Sequence, residues 1–431
     1  MQAEAGRIAL APTRVRHKVV WFTLVMIAIA YLDRVCISIA APAIKSELGL
    51  SDTQMGLVFS AFTLSYALFE IPSGWFADRF GARAALTRIV LWWSAMTAAT
   101  GLASGFASLF AVRLLFGMGE AGAFPASARV YARWLPARLR GRLFGVLIMA
   151  AALSGALTQP LVVALVSRIG WRPTFASFGV LGFVWAAVWW IWFRDDPRAH
   201  RGVNAAELAL IASGGAGTSG HASVPWRSLA SNRALVALCA MYFGAIYGWY
   251  FYLTWLPTYL LRARGFDLAQ VGWLAALPLL AIALGVYLGG WACDRLTPRL
   301  GLRLAARTPA LLGLPLAACA VVGAALVPEP VHAALLLAAA AGLAGLGIAP
   351  AWALCLEIGG PHAGVVTGAM NMFGNLGGTL SPVVVGLCID RLGSWSAPLY
   401  SIAALYLVAA VCWLGIDPAR KISPVRVADP A

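Results

Sequence analysis

Twelve apolar runs of roughly 20 residues, separated by short charged or Gly/Pro-rich breaks, limit what this chain can fold into more than any other feature. Only a helix or a closed barrel satisfies its own backbone in hydrocarbon, and runs of this length match a membrane-crossing helix. The runs cover residues 19–41, 55–76, 84–103, 107–129, 142–166 and 174–193, then 233–260, 270–293, 306–327, 331–356, 363–389 and 396–416. They predict an all-α integral membrane protein with twelve transmembrane helices in two pseudo-symmetric six-helix bundles. Composition excludes the soluble classes: 61% of residues are hydrophobic and 11% charged. The net charge of +15 is not a nucleic-acid patch, because the basic residues flank the apolar runs instead of sharing one face. The first run follows Arg14, Arg16, His17 and Lys18 as a signal peptide would, but its length and its internal Asp33 and Arg34 mark a retained span. The seven cysteines lie scattered in apolar segments without CxxC spacing and read as small buried hydrophobes.

Between the two sets of six lies a linker, 194–232, with a short amphipathic piece opening on Asn204 and Glu207 in capping-box spacing, then SGGAGTSG. It reads as a tether with one surface helix. The expected units are therefore 1–193, the linker 194–232, 233–416 and a tail 417–431. Alternate loops carry 24 Lys and Arg on the side of both termini and 6 on the other, which predicts cytoplasmic termini. The halves echo each other. GWFADRFGAR (Gly74, Asp78, Arg79, Gly81, Arg83) after span 2 recurs as GGWACDRLTPRLG (Gly290, Asp294, Arg295, Gly301) about 216 residues later, and SRIGWRPTF after span 5 recurs as DRLGSWSAPLY after span 11. Two echoes at nearly one offset indicate a duplicated six-span unit.

Apart from Arg88, Arg129, Arg142, Arg233 and Arg307, which stand within five residues of a span end and count with the loops, two arginines fall inside spans, Arg34 and Arg113, and each has an acid nearby, Asp33 and Glu120. Arg113 and Glu120 are seven residues apart, within roughly 20° of two full helical turns, so both point the same way. Charges in hydrocarbon are costly and mark function. Counting residues along the helices puts Asp33 about 21 Å from the start of span 1 and Arg113 about 9 Å from the opposite end of span 4, which pairs those two by depth and leaves Glu120 deeper. Glu70 and Glu357 read as gate or interfacial partners of loop arginines.

The Gly-x-x-x-Asp-Arg-x-Gly-x-Arg loop and its half-copy resemble those of the major facilitator superfamily. In that loop Gly74 permits close helix approach, Asp78 can cap a neighbouring helix, and Arg79 and Arg83, with Asp294 and Arg295 in the second copy, can latch the cytoplasmic side against acids of the facing bundle. Y-x-D-R in span 1, R-x6-E in span 4, the linker residues Asp196, Pro197, His200, Glu207 and Ile211, and TWLPTYLLRARGF in span 7 are similar to the anion:cation symporter family. That resemblance implies Asp33 and Glu120 as proton-titrated acids and Arg34 and Arg113 as arginines near a substrate carboxylate. It further implies Tyr31, Tyr66, Trp352 and one of Asn371 and Asn375 as cavity residues. The chain departs from sugar-acid members in having no Gln or Asn between Cys239 and Leu260, so its readers of hydroxyl groups are depleted.

The expected function is proton-coupled uptake of a small organic carboxylate, a sugar acid or an aromatic or short-chain one, by alternating access. It would act in a bacterial inner membrane, as a monomer in the lipid bilayer, with the proton as coupling ion and no other cofactor, metal or nucleic acid. Protonating Asp33 would free Arg113 for the substrate, and Glu120 would be the second proton switch. A transporter-like anion-sensing receptor is the alternative; no enzyme motif stands in a convincing context.

Overall fold

The computed structural model describes residues 11–212 and 231–419, except for the side chains of Ile71, Gly74, Asp78, Ala137 and Pro361. The described residues form helices throughout and include no strand. The first half holds α1 (Val15–Leu48), α2 (Asp52–Phe80), α3 (Ala82–Thr100), α4 (Phe106–Glu120), α5 (Ala123–Trp134), α6 (Ala137–Ile169) and α7 (Trp171–Trp192). A 3-10 turn (Pro197–Ala199) and α8 (Ala205–Ala212) follow in the linker. The second half holds α9 (Arg233–Thr254), α10 (Leu256–Arg262), α11 (Leu268–Leu326), α12 (Pro330–Gly345), α13 (Ile348–Gly359), α14 (Ala363–Leu392) and α15 (Ser396–Gly415).

All twelve expected spans are present, but three are broken. Span 4 is α4 and α5, broken at Gly122 with φ +94°; span 10, its counterpart in the other half, is α12 and α13; span 7 breaks at Trp255 ahead of Pro257. Spans 8 and 9 run on as α11, with non-helical backbone at Gly301. The duplication shows in the backbone: Gly81 (φ 86°, ψ 160°) and Gly301 (φ 73°, ψ 159°), each closing its copy of the Asp-Arg loop, adopt the same left-handed kink. Glycine does this without the Cβ clash that other residues meet.

We call the face where α1 ends and α2 begins the far face, and the opposite one the terminus face. At the far face the halves are fused. Cys36 to Ile44, Val58 and Phe59 of the first half share one hydrophobic core with α9, α11, α14 and α15. Towards the terminus face the first half has a separate core around Met26, Trp93, Trp134 and Trp189. Asp390 of α14 caps the start of α2, accepting the N–H groups of Asp52 (3.1 Å) and Thr53 (2.6 Å), and the Asp52 carboxylate binds Lys45 (2.5 Å) and Arg262 (3.0 Å). Gly56 seats directly on Pro382, where a Cβ would lie 2.3 Å from the carbonyl oxygen. Nearer the terminus face the glycines of α6 and α14, Gly141, Gly145, Gly364 and Gly368, look onto open space. The contacts of the shared core, Asp390 and Gly56 close the molecule at the far face.

The linker does more than tether. Glu207 of α8 is fully buried and caps the start of α1: it accepts from the N–H groups of Val15 (3.2 Å) and Arg16 (3.0 Å), from the Arg16 guanidinium (3.0 Å) and from the Thr13 hydroxyl. Asn204 both opens α8 and bonds Thr13. The carboxylate thus meets the positive end of a transmembrane helix. The SGGAGTSG stretch lies outside the described residues.

Candidate functional site

Helix α1 presents Asp33 and Arg34 in different directions, since consecutive helical residues are about 100° apart. Asp33 is turned into the first bundle and is 0% exposed. Arg34 is turned towards the space between the halves, where its guanidinium lies 5.0 Å from the ring of Tyr31, 4.8 Å from Phe62 and 5.1 Å from Tyr66. Three rings around one cation provide favourable quadrupole contacts without neutralising its charge. Neutralisation comes from Glu120, whose Oε1 accepts from Arg34 Nη2 at 2.6 Å. Gly117 brings Glu120 there. It lets α4 lie against the α2 backbone at Phe62, where a Cβ would sit 2.2 Å from the carbonyl oxygen.

This pairing differs from the one expected by depth. Side chains on a helix lean towards its N-terminus, and α1 begins at the terminus face, so Arg34 reaches back over Tyr31 to the deeper acid. Asp33 and Arg113 form no ion pair among the described residues. Both carboxylate oxygens of Asp33 are buried without a hydrogen-bond partner, as are Nε and Nη1 of Arg113, whose guanidinium stacks over Phe116 (4.3 Å) and Phe62 (5.3 Å). Two acids and two arginines therefore share one buried region with only one hydrogen-bonded ion pair between them.

The second half supplies the other wall. Trp352 on α13 is 39% exposed, and its Nε1–H donates to Tyr242 Oη at 3.2 Å. The two asparagines separate in role: Asn371 Nδ2 donates to both oxygens of Glu70 on α2 (2.9 and 3.2 Å), while Nδ2 of Asn375 is buried without a partner. Glu70 thus bonds across the halves and not to a loop arginine. The tyrosines of α9 serve packing: Tyr242 and Tyr250 cover Gly374 and Gly378 of α14, and Tyr247 bonds Ser401 at 3.0 Å.

Arg79, Arg83, Asp294 and Arg295, expected in the cytoplasmic latch, form no ion pair with the facing half among the described residues. Arg83 binds its own half and the linker: its guanidinium donates to the carbonyl of Trp190 and its backbone N–H to Asp195 at 3.1 Å. Arg79 is exposed beside Trp75 and Phe80, and Asp294 and Arg295 are exposed too. The expectations for Gly74 and Asp78 fall on side chains outside the described residues. Sequence reasoning missed Phe62, although it lies four residues before Tyr66 on the same helical face, and it missed the partner of Glu70, for which no sequence signal exists.

Two helical halves closed at one end, with buried opposite charges facing the gap between them, define a membrane carrier. Comparison with known proteins agrees. A family model described as Major Facilitator Superfamily matches residues 23–382, and the chain belongs to that superfamily. It is 39% identical over 410 residues, 94% of each chain, to the "Probable sulfoacetate transporter" of Cupriavidus necator. It is 31% identical over 420 residues, 94% of this chain and 96% of the other, to the "D-galactonate transporter" of Escherichia coli. Among solved structures, a bacterial homologue of the human lysosomal transporter Spinster superposes with a TM-score of 0.77 at 21% identity, covering 96% of this chain and 99% of that one. The relatives are named as transporters and not as enzymes.

Proposed function

We propose that the protein is a proton-coupled symporter of a small organic carboxylate. The observation that carries this reading is the central Arg34–Glu120 ion pair beside a buried Asp33 and Arg113 that form no ion pair with each other. An arginine fork suits a carboxylate, which it can bind through two parallel hydrogen bonds. While Glu120 is ionised it occupies Arg34. A proton on Glu120 removes that competition and leaves a buried cation, which the substrate carboxylate then neutralises. Asp33, fully buried inside the first half beside this pair, is assigned as the second proton acceptor. The named activities of the relatives, sulfoacetate and galactonate transport, support an organic anion as cargo. No resident cofactor enters this scheme; the proton is the coupling ion.

In this reading 1–193 and 233–416 are the two rocking halves, 194–232 the linker and 417–431 a tail. Both termini lie on the cytoplasmic side of a bacterial inner membrane, as the excess of Lys and Arg on that side supports. The carrier works as a monomer within the bilayer. The test is uptake of labelled organic anions into proteoliposomes under an imposed pH gradient. Accumulation above the external concentration, abolished by a protonophore, is expected. Uptake that only equilibrates would reject coupling, and binding without transport would favour an anion-sensing receptor.

A further inference from the structure

Glu70 puts a carboxylate in the cavity of a carrier that the preceding reading assigns to anions, and that role for it is unexplained by proton coupling at Asp33 and Glu120. Glu70 follows Tyr66 by four residues on α2, so the two stand one above the other on one helical face. Tyr66 is one of the rings around Arg34, 5.1 Å from its guanidinium. Both Glu70 oxygens accept from the Asn371 amide of the facing half, at 2.9 and 3.2 Å. One turn further along α14, Nδ2 of Asn375 is buried and unpartnered. The space between the halves is therefore bipolar, with the guanidinium of Arg34 at one pole and the Glu70 carboxylate with its Asn371 amide at the other.

We propose that Glu70, holding Asn371, is a specificity-determining residue that selects monoanions carrying an uncharged hydrogen-bond donor, such as a hydroxyl, at the end away from the carboxylate. The inference rests on the carboxylate-symporter reading. A donor group can enter between Glu70 and Asn371, replacing the amide on the carboxylate, so every polar group stays paired. A second anionic group in the same place would meet Glu70 at hydrogen-bond distance, where like charges in a poorly solvated cavity repel strongly. Rejection by an unpaired like charge is how many sites achieve specificity. It also answers the lack of Gln and Asn from Cys239 to Leu260: the hydroxyl reader is supplied by α2 and α14 instead of α9.

The test compares pairs of anions that differ only in that end group: D-gluconate with D-glucarate, and 3-hydroxypropionate with malonate, as uptake substrates for the full-length protein in proteoliposomes. In at least one pair the wild type should take up the hydroxy monoanion about tenfold or more better than the dianion. Glu70→Gln should narrow that ratio at least about tenfold, and Asn371→Asp, which adds a second carboxylate at the same pole, should widen it. The wild-type comparison stands even if a variant fails to fold. Equal use of both members, preference for the dianion, or an unchanged ratio in an active Glu70→Gln protein would overturn the assignment. If the wild type moves none of the four but transports an uncharged or cationic solute, the carboxylate reading itself falls, and this inference falls with it.

Discussion

Replacing Glu120 by Ala should destabilise the carrier more than replacing its partner Arg34, and the structure sets the size of the difference. At 2.6 Å the gross attraction across this pair is about 6 kcal/mol for an effective dielectric constant of about 20. Desolvation offsets much of it, since the side chains are only 12% and 2% exposed. Deleting one partner leaves the other buried and charged, which costs about 3–5 kcal/mol. Glu120→Ala should sit near the lower end, about 3 kcal/mol, because three aromatic rings still face the guanidinium. Arg34→Ala should cost less, because a stranded carboxyl can take up a proton whereas arginine cannot release one. The double variant should then be more stable than the sum of the singles by about 1–3 kcal/mol. The assay is a double-mutant cycle on the purified protein, with reversible unfolding in one detergent and at one lipid content. Additivity within about 0.5 kcal/mol would mean that the observed pair carries no coupling energy and would remove the basis for proton-controlled release of Arg34.

Further outcomes follow from the same geometry. Asp33→Asn should abolish accumulation driven by a pH gradient while substrate exchange across the membrane persists, measured by counterflow; full accumulation would refute its proton role. Arg34→Lys should weaken substrate affinity about tenfold or more, because a point charge cannot offer two parallel hydrogen bonds; an unchanged half-saturation concentration would count against Arg34 as the carboxylate ligand. Gly56→Ala should push the far-face ends of α2 and α14 apart, since the new Cβ would overlap the Pro382 carbonyl at 2.3 Å. A cysteine introduced at Thr379 should then label faster with an impermeant reagent added from outside. Burial pushes the Glu207 carboxyl up, but hydrogen bonds from Thr13, the backbone of Arg16 and Val15 and the Arg16 guanidinium outweigh it and hold the group below the usual carboxylate range. Its stabilising effect is then complete above the ordinary value of about 4.3 and fades as pH falls through the lower folded value. Glu207→Gln should therefore cost about 1–3 kcal/mol at neutral pH and flatten the acid side of a melting-temperature profile.

The sequence by itself determined the class of the molecule and most of its parts. Apolar run length dictates helices across a bilayer, because hydrocarbon offers the backbone no other partner, and the repeated Asp-Arg loop announced a duplication that the matched kinks at Gly81 and Gly301 display. It also singled out Asp33, Arg34, Arg113 and Glu120, since charges inside such runs stand out against their surroundings. Which charge meets which was decided only by tertiary structure. Residue counting gives one coordinate, depth along an axis, whereas pairing depends on helix rotation, on the lean of a long side chain and on how closely two helices approach. Arg34 reaches Glu120 because α1 directs it back over Tyr31 and because Gly117 lets α4 close on α2. The contacts of Glu70 with Asn371 and of Glu207 with the start of α1 join residues about 300 and 190 positions apart, and no local pattern encodes a partner at that distance.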